Sequence, residues 1–522
     1  MNALFHLITA LLIAGAGLLS AAPAPDSAAS GESGLPQVLL LGDSLHRANA
    51  DWVAALLAGR VEVVMSRDAW DSAYALANLD MLLDGKKWDA IHFNFGLSDL
   101  YYRDPKTKAV RTLSAEAGGM ILTSPDDYER NLRTLVGRLQ ATGARLVWAS
   151  TTPIPEDTQI WVPGDEVRYN AIAARVMAET GVEVNDLHGF CKALSSEKVA
   201  RNVVVTNPYQ QPSLVVPMAA SILKVLGLMP PLAKGPVKVL ILAGGLSMSG
   251  DVSATAARNF LEAREGGAGR SGPDVKAGKA GAAHDASIRE DVWVRQTFQI
   301  HYGDLGYSFG GRHGRNGVGP ELGFGCVMGD HFSEQVLILK VRLIADQLGL
   351  HMQPPSSAAK GRPGSSYTKV VGEIRAALET IKPLFMTYDE SLGYELAGLV
   401  WDHGDAEKLA PHIEAYEENL TNLIKDLRKE FGVEDLPVVV LGTGIGGRDQ
   451  PAHPEILKAQ MAVAARPEFK GTVAFTETRD FWRPAKDSPA DSPVFWNNNP
   501  ESVLLIGEAA ARDMIKLLRK AE

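Results

Sequence analysis

Two glycine turns follow short apolar runs, and one of them carries a hydroxyl that could attack a carbonyl. Gly42-Asp43-Ser44-Leu45 closes the run Val38-Leu39-Leu40-Leu41. A serine placed so would begin a helix just past a strand's carboxyl end. Open parallel sheets bind ligands there, and free backbone N–H groups can stabilise an oxyanion. The chemistry implied is nucleophilic attack on a carbonyl carbon, provided that a base takes the proton and a carboxylate orients the base. The second turn, Gly244-Gly245-Leu246-Ser247-Met248, follows Val239-Leu240-Ile241-Leu242-Ala243 and carries Leu246 directly after its two glycines. A leucine has no nucleophilic atom. Ser247 is displaced by one residue, which swings its side chain away.

Both turns need strands and helices to hold them. The apolar runs suit parallel strands covered on both faces. Leu132, Leu135, Val136 and Leu139 recur at helical spacing, with Ser124 as N-cap, Pro125 at the first helical position and Gly143 as a stop. Leu420, Leu423, Ile424 and Leu427 repeat the spacing before Gly432, and Tyr128-Glu129, Asn131 and Leu132 correspond to Tyr416-Glu417, Asn419 and Leu420. Each helix feeds a strand, Leu146–Ala149 or Pro437–Leu441, and each half ends in a helix, near Leu214–Leu226 and Ser502–Leu518. The alternation predicts two α/β domains, each a parallel sheet flanked by helices. They cover 35–229 and 237–522, joined by a linker at 230–236.

The remaining features bound the function. Leu4–Leu19 is apolar and Ser20-Ala21-Ala22 supplies small residues, so 1–22 reads as an export signal and 23–34 as a disordered spacer. An uncleaved anchor is the alternative, and only then is a membrane a partner. The formal net charge of −10 excludes a nucleic-acid binder, which needs a basic face. The 12 histidines show no clustering at ligand spacing, so neither a metal nor another cofactor is expected. Gly442-Thr443-Gly444-Ile445-Gly446-Gly447 fits the dinucleotide fingerprint only loosely, and Arg448-Asp449-Gln450-Pro451 reads as loop where that motif needs a helix, so no nucleotide is expected. Cys191 and Cys326 could pair in an oxidising compartment or serve as two small buried apolar residues. Gly266–Ala283 reads as a mobile insertion and Gln353–Ser366 as an irregular loop. The Asn419-Leu420-Thr421 sequon falls within a helix.

At the level of motifs, the first half, roughly Leu35–Leu228, resembles the GDSL/SGNH hydrolases, metal-independent esterases of flavodoxin-like fold. Gly42-Asp43-Ser44-Leu45 resembles their nucleophile block. Asp89–Asp99 resembles the block whose Gly-x-Asn-Asp turn supplies an oxyanion donor: Gly96 and Asp99 match, and Ser98 replaces Asn. Asp43 reads as a structural or capping carboxylate. The family's second-block glycine has no counterpart after Val64. The family's Asp-x-x-His before the last helix is lost, with Arg201 and Val204 at those positions. His188, beyond Asn185-Asp186-Leu187, and His46, pointing off the first helical turn, are the substitutes left.

The second half, most of Val237–Lys520, resembles the sialate O-acetylesterase-like carbohydrate esterases. The resemblance rests on the Gly244-Gly245 turn, on Gly319-Pro320-Glu321, on Leu399-Val400-Trp401-Asp402-His403-Gly404-Asp405 and on Trp496-Asn497-Asn498-Asn499. Leu246 replaces the family's serine, Phe495 stands at its histidine and His403 replaces a Gln. The resemblances imply two tandem flavodoxin-like (SGNH hydrolase-type) domains and an acetylated carbohydrate as the partner. Two readings follow: an esterase that depends on Ser44, or an inactive glycan-binding or structural relative. The second expects exposed aromatics in a cleft, with Tyr101, Tyr102, Trp161, Trp401 and Trp496 as candidates.

Overall fold

The computed structural model describes residues 34–521, apart from 68, 111–113, 157, 159, 197–213, 231–233, 267–288, 298–300, 308, 311–316 and 344–345. The positions Arg201 and Val204, and all but the first residue of the Gly266–Ala283 insertion, lie outside these. Pro36–Glu522 form one compact unit.

Alternation of apolar residues along each strand decides the layers. The first sheet contains β1 (Gln37–Gly42), β2 (Glu62–Met65), β3 (Ala90–Asn94), β4 (Arg145–Ala149) and β5 (Glu183–Asn185), all parallel, in the order β2-β1-β3-β4-β5. Leu39 and Leu41 point into a core shared with the helices Pro125–Gln140 and Asp165–Thr180. Val38 and Leu40 point the other way, toward Ser44–Leu56 and Val215–Leu226. The order of five strands is the flavodoxin-like one, and its switch point lies between β1 and β3.

The second sheet repeats the plan. It contains β6 (Val237–Gly244), β7 (Arg289–Gln296), β8 (His301–Leu305), β9 (Val336–Arg342), β10 (Tyr394–Asp402), β11 (Val438–Leu441) and β12 (Val473–Thr476), in the order β8-β7-β9-β6-β10-β11-β12. The five strands β9-β6-β10-β11-β12 reproduce the first sheet's order. β7 extends the sheet in parallel, and β8 folds back against it as an antiparallel edge. Val239 and Ile241 face one core, Leu240 and Leu242 the other. Burial of each such side chain contributes on the order of 1.5–3 kcal/mol.

The predicted helices form over Pro125–Gln140 and Tyr416–Phe431. Ser124 caps the first, accepting from the Asp127 N–H at 3.2 Å, and Gly432 ends the second in the left-handed region, with φ of 69°. Gln353–Ser366 is more ordered than expected, holding 3-10 turns at Pro355–Ser357 and Ala359–Gly361, and a helix that starts at Ser365.

The second sheet's added edge meets the first half directly. Arg60 pairs with Asp304 of β8 and, at 3.1 Å, with Glu290 of β7. Leu56 packs over Gly303, where an added Cβ would come within 3.2 Å of its Cδ1.

Candidate functional site

The two strand-end turns occupy equivalent places. Gly42 pairs with Asn94 at the end of β3, and Gly244 pairs with Asp402 at the end of β10. A helix starts two residues later in each case, at Ser44 and at Leu246. Counted from the paired glycine, Leu246 therefore holds the backbone position of Ser44, and Ser247 that of Leu45. Both glycines are sterically required. A Cβ on Gly42 would lie 2.8 Å from the Asn94 carbonyl oxygen, and one on Gly244 would lie 2.5 Å from the Met248 Cβ.

Asp43 organises the first turn. Its carboxylate caps the Ser44 helix by accepting from the Leu45 N–H at 3.1 Å, and accepts from the Ser98 N–H at 3.0 Å. Burial pushes Asp43 up to about 6, and these hydrogen bonds, together with one from the Ser98 hydroxyl, pull it back down. Ser98 is thereby engaged with Asp43. Asp99 is tied in turn to Ser72, accepting from its N–H at 3.1 Å and from its hydroxyl at 2.6 Å; burial pushes Asp99 up to about 7. Asn131 completes this knot by donating to Ser72 Oγ at 3.0 Å. Gly96 admits no side chain, because a Cβ would lie 2.2 Å from Thr151 Oγ1. The Ser44 Oγ is shielded from solvent and has no hydrogen-bond partner among the described residues.

The histidines divide sharply. His46 does not point off its helix: the ring is fully buried, and its Nε2 lies 2.8 Å from His92 Nδ1. Burial holds His46 well below the usual range and His92 down near 3, so both are neutral. A buried aromatic ring packs better inward than outward, which overrides the position read from the sequence. His188 is different. Its backbone N–H donates to Ser150 Oγ at 2.8 Å beyond the end of β5, and its Nε2 lies 3.5 Å from the buried Glu166 carboxylate. That Nε2 makes no hydrogen bond among the described residues.

In the second half Ser247, Glu321 and His403 are each engaged with partners. Ser247 donates to Asp402 at 2.5 Å, and burial pushes that carboxylate up to about 7. Glu321 is fully buried, paired with Lys340 at 2.7 Å, and also accepts from the Gly319 N–H at 2.7 Å. Both His403 nitrogens are engaged, Nε2 with the Asp346 carbonyl at 2.6 Å and Nδ1 with the Tyr416 hydroxyl at 3.3 Å. Gly245 donates to the Asp402 carbonyl at 3.0 Å. Trp496 packs beside Trp482 with ring centroids 5.8 Å apart, and Trp401 packs beside His403 at 5.4 Å.

The aromatic candidates do not line an open cleft. Tyr101, Trp161, Trp401 and Trp496 are buried, and Tyr102 is half-buried with its hydroxyl on Asp165 at 3.0 Å. Tyr101 and Trp161 stack on each other, and the Trp161 indole N–H donates to the Leu97 carbonyl. Cys191 and Cys326 are separate thiols, each pushed up to about 12 by burial. A cavity lined by Arg375, Tyr394, Glu430 and Asp435 opens at the amino end of β10, away from the strand-end turns. Among the described residues no helix is long and apolar enough to cross a membrane, and no group of three or more His, Cys, Asp or Glu could hold a metal ion.

Two esterase family models match this chain. The GDSL-like lipase/acylhydrolase family matches residues 26–200, and the carbohydrate esterase, sialic acid-specific acetylesterase family matches residues 286–479. The first span contains Ser44, Ser98 and Asp99; the second contains Glu321, Trp401 and His403 but neither the Gly244 turn nor Trp496. No curated protein matches. Among solved structures, a protein from Arabidopsis thaliana is similar over 54% of this chain and 98% of its own, at 16% identity and a TM-score of 0.35. A variant of an acetyl xylan esterase from Geobacillus stearothermophilus is similar over 37% and 95%, at 15% identity and a TM-score of 0.29. A carbohydrate acetylesterase from Xanthomonas citri is similar over 53% and 56%, at 12% identity and a TM-score of 0.32.

Sequence reasoning missed the His46–His92 pair and the Glu166 carboxylate beside His188. The first joins residues 46 positions apart on neighbouring elements and leaves no local pattern. The second had a weak signal, because Glu166 lies in the first turn of the helix Asp165–Thr180 beside Gly164.

Proposed function

We propose that the chain is an exported protein directed at acetylated carbohydrate, in which any ester hydrolysis rests on Ser44 and the second half is non-catalytic. The observation that carries this reading is the equivalence of Ser44 and Leu246 on two copies of one strand-turn-helix frame. One copy holds a shielded hydroxyl with no competing hydrogen bond among the described residues. The other holds a side chain with no nucleophilic atom. Among the described histidines of the first half, His46 and His92 are committed to each other, which leaves His188 with Glu166 as the base and its orienting carboxylate.

The second reading is a catalytically inactive glycan-binding or structural relative. It is favoured by one specific observation: no described imidazole hydrogen-bonds Ser44. A serine without a base is a weak nucleophile at neutral pH.

Hydrolysis of a small acetyl ester by the purified protein, beside Ser44→Ala and His188→Ala, separates the two. Activity lost in both variants supports the esterase. Activity lost in Ser44→Ala and kept in His188→Ala removes the assigned base. No activity in the parent protein leaves the binding reading.

A further inference from the structure

We propose that Trp70 is a stacking platform for a sugar ring on the loop that follows β2, beside the strand end that carries Ser44, an inference that rests on the carbohydrate reading above. Of the nine tryptophans in the sequence, Trp70 is the most exposed, at 53%. Its place follows from topology. β2 lies on one side of β1 and β3 on the other. The chain leaving β2 begins at Ser66, whose N–H still donates to the Leu40 carbonyl of β1. By Ser72 it is fastened to Asp99, in the turn beyond β3. Ser66 is thus tied to β1 and Ser72 to the turn beyond β3, and Trp70 lies between these two anchors in the chain, near the strand end that carries Ser44.

The indole is mounted on a fixed backbone. Ala69 before it is buried, and Asp71 after it caps the helix Ser72–Ala77 by accepting from the Tyr74 N–H at 2.9 Å. Ser72 is fully buried, with both its N–H and its hydroxyl on Asp99. Asp99 adjoins Ser98, which is bonded to the Asp43 that caps the Ser44 helix. A short chain of hydrogen bonds thus links the platform's backbone to the candidate nucleophile. A large flat apolar face held in place and left in water is the surface that matches the C–H face of a pyranose, and a fixed mount spares the ordering cost of binding.

The test is binding of soluble partially acetylated xylan, acetylated pectin and acetylated chitin oligosaccharides, measured by calorimetry with intrinsic fluorescence as a second readout. The variants are Trp70→Ala, Trp70→Phe and Trp52→Ala, the last an exposed indole on the Ser44–Leu56 helix. The expected result is about a tenfold or greater loss of affinity in Trp70→Ala, largely restored in Trp70→Phe and absent in Trp52→Ala. Parent-protein binding that persists in Trp70→Ala overturns the platform and leaves the carbohydrate reading standing. Binding of none of the three glycans by the parent protein overturns both.

Discussion

His46 Nε2 lies 2.8 Å from His92 Nδ1 in the core behind the Ser44 turn, and the neighbouring amide fixes which of the two carries the shared proton. Asn185 Nδ2 faces the Pro217 carbonyl at 3.2 Å, an atom that only accepts, so the amide nitrogen is also the atom 3.1 Å from His92 Nε2. His92 therefore accepts at Nε2 and carries its proton on Nδ1, which donates to His46 Nε2. His46 in turn carries its proton on Nδ1, which has no hydrogen-bond partner among the described residues. The tautomers are assigned from this network. Both rings are buried and neutral.

The pair makes the fold acid-sensitive. Burial lowers both folded-state values below the unfolded value near 6.5. Below that value the unfolded chain binds more protons, so the stability the pair contributes is complete above about pH 6.5 and is lost as pH falls toward 3. Each ring steepens the loss by about 1.4 kcal/mol per pH unit. Urea midpoints measured from pH 7 to pH 4 are expected to fall more steeply in the parent protein than in His92→Phe. Parallel curves would remove the pair as the cause.

Asp402 works in the opposite sense. Burial raises its folded value to about 7, so between about 4 and 7 the folded form holds the extra proton and stability declines as pH rises. Asp402→Asn keeps a carbonyl oxygen for the Ser247 hydroxyl and removes the titration. The stability of the variant relative to the parent is expected to climb from pH 4 to pH 7 and then level off. Urea unfolding across that range reads it directly.

The Ser44 hydroxyl is expected to add little to stability. It has no hydrogen-bond partner among the described residues to lose, and Asp43 already caps the helix. Ser44→Ala is therefore expected to melt within about 1–2 °C of the parent, matching a change within about 0.5 kcal/mol. Asp43→Ala is expected to cost on the order of 1–2 kcal/mol, because it leaves the Leu45 and Ser98 N–H groups unpaired. A Ser44→Ala protein that melts several degrees lower would show that the hydroxyl is structural.

Much of this architecture is legible in the sequence, for a physical reason. Val38–Leu41 and Val239–Leu242 are apolar on both faces because each strand is covered on both faces, and the amphipathic helices repeat Leu at core spacing. The β7–β8 edge left no such trace. Arg289-Glu290-Asp291 carries charge into the start of β7: Glu290 meets Arg60 of the first half, while Arg289 pairs with Asp291 and Asp330 of its own half. The site was less legible still. Trp401 and Trp496 sit in motif segments, and both rings are buried in the core. Trp70, alone in a loop, belongs to no periodic pattern.

A buried ion pair joins the two halves. The Arg60 side chain is 6% exposed and pairs with Asp304, itself 9% exposed at the side chain, with Glu290 at 3.1 Å as a second, more exposed partner. Arg60 leads out of the Ser44–Leu56 helix toward β2, and Asp304 belongs to β8 of the other sheet. Arg60→Ala removes the guanidinium and leaves the Asp304 carboxylate buried without it. Breaking such a pair from one side costs about 3–5 kcal/mol, whereas replacing both partners with apolar residues is close to neutral. Arg60→Ala is expected to lower the urea midpoint strongly and Arg60→Leu/Asp304→Leu to restore most of it. If the two halves unfold as one unit, both probes placed on the first half and probes on the second will shift together in Arg60→Ala; separate transitions would show that the pair is the main tie between them.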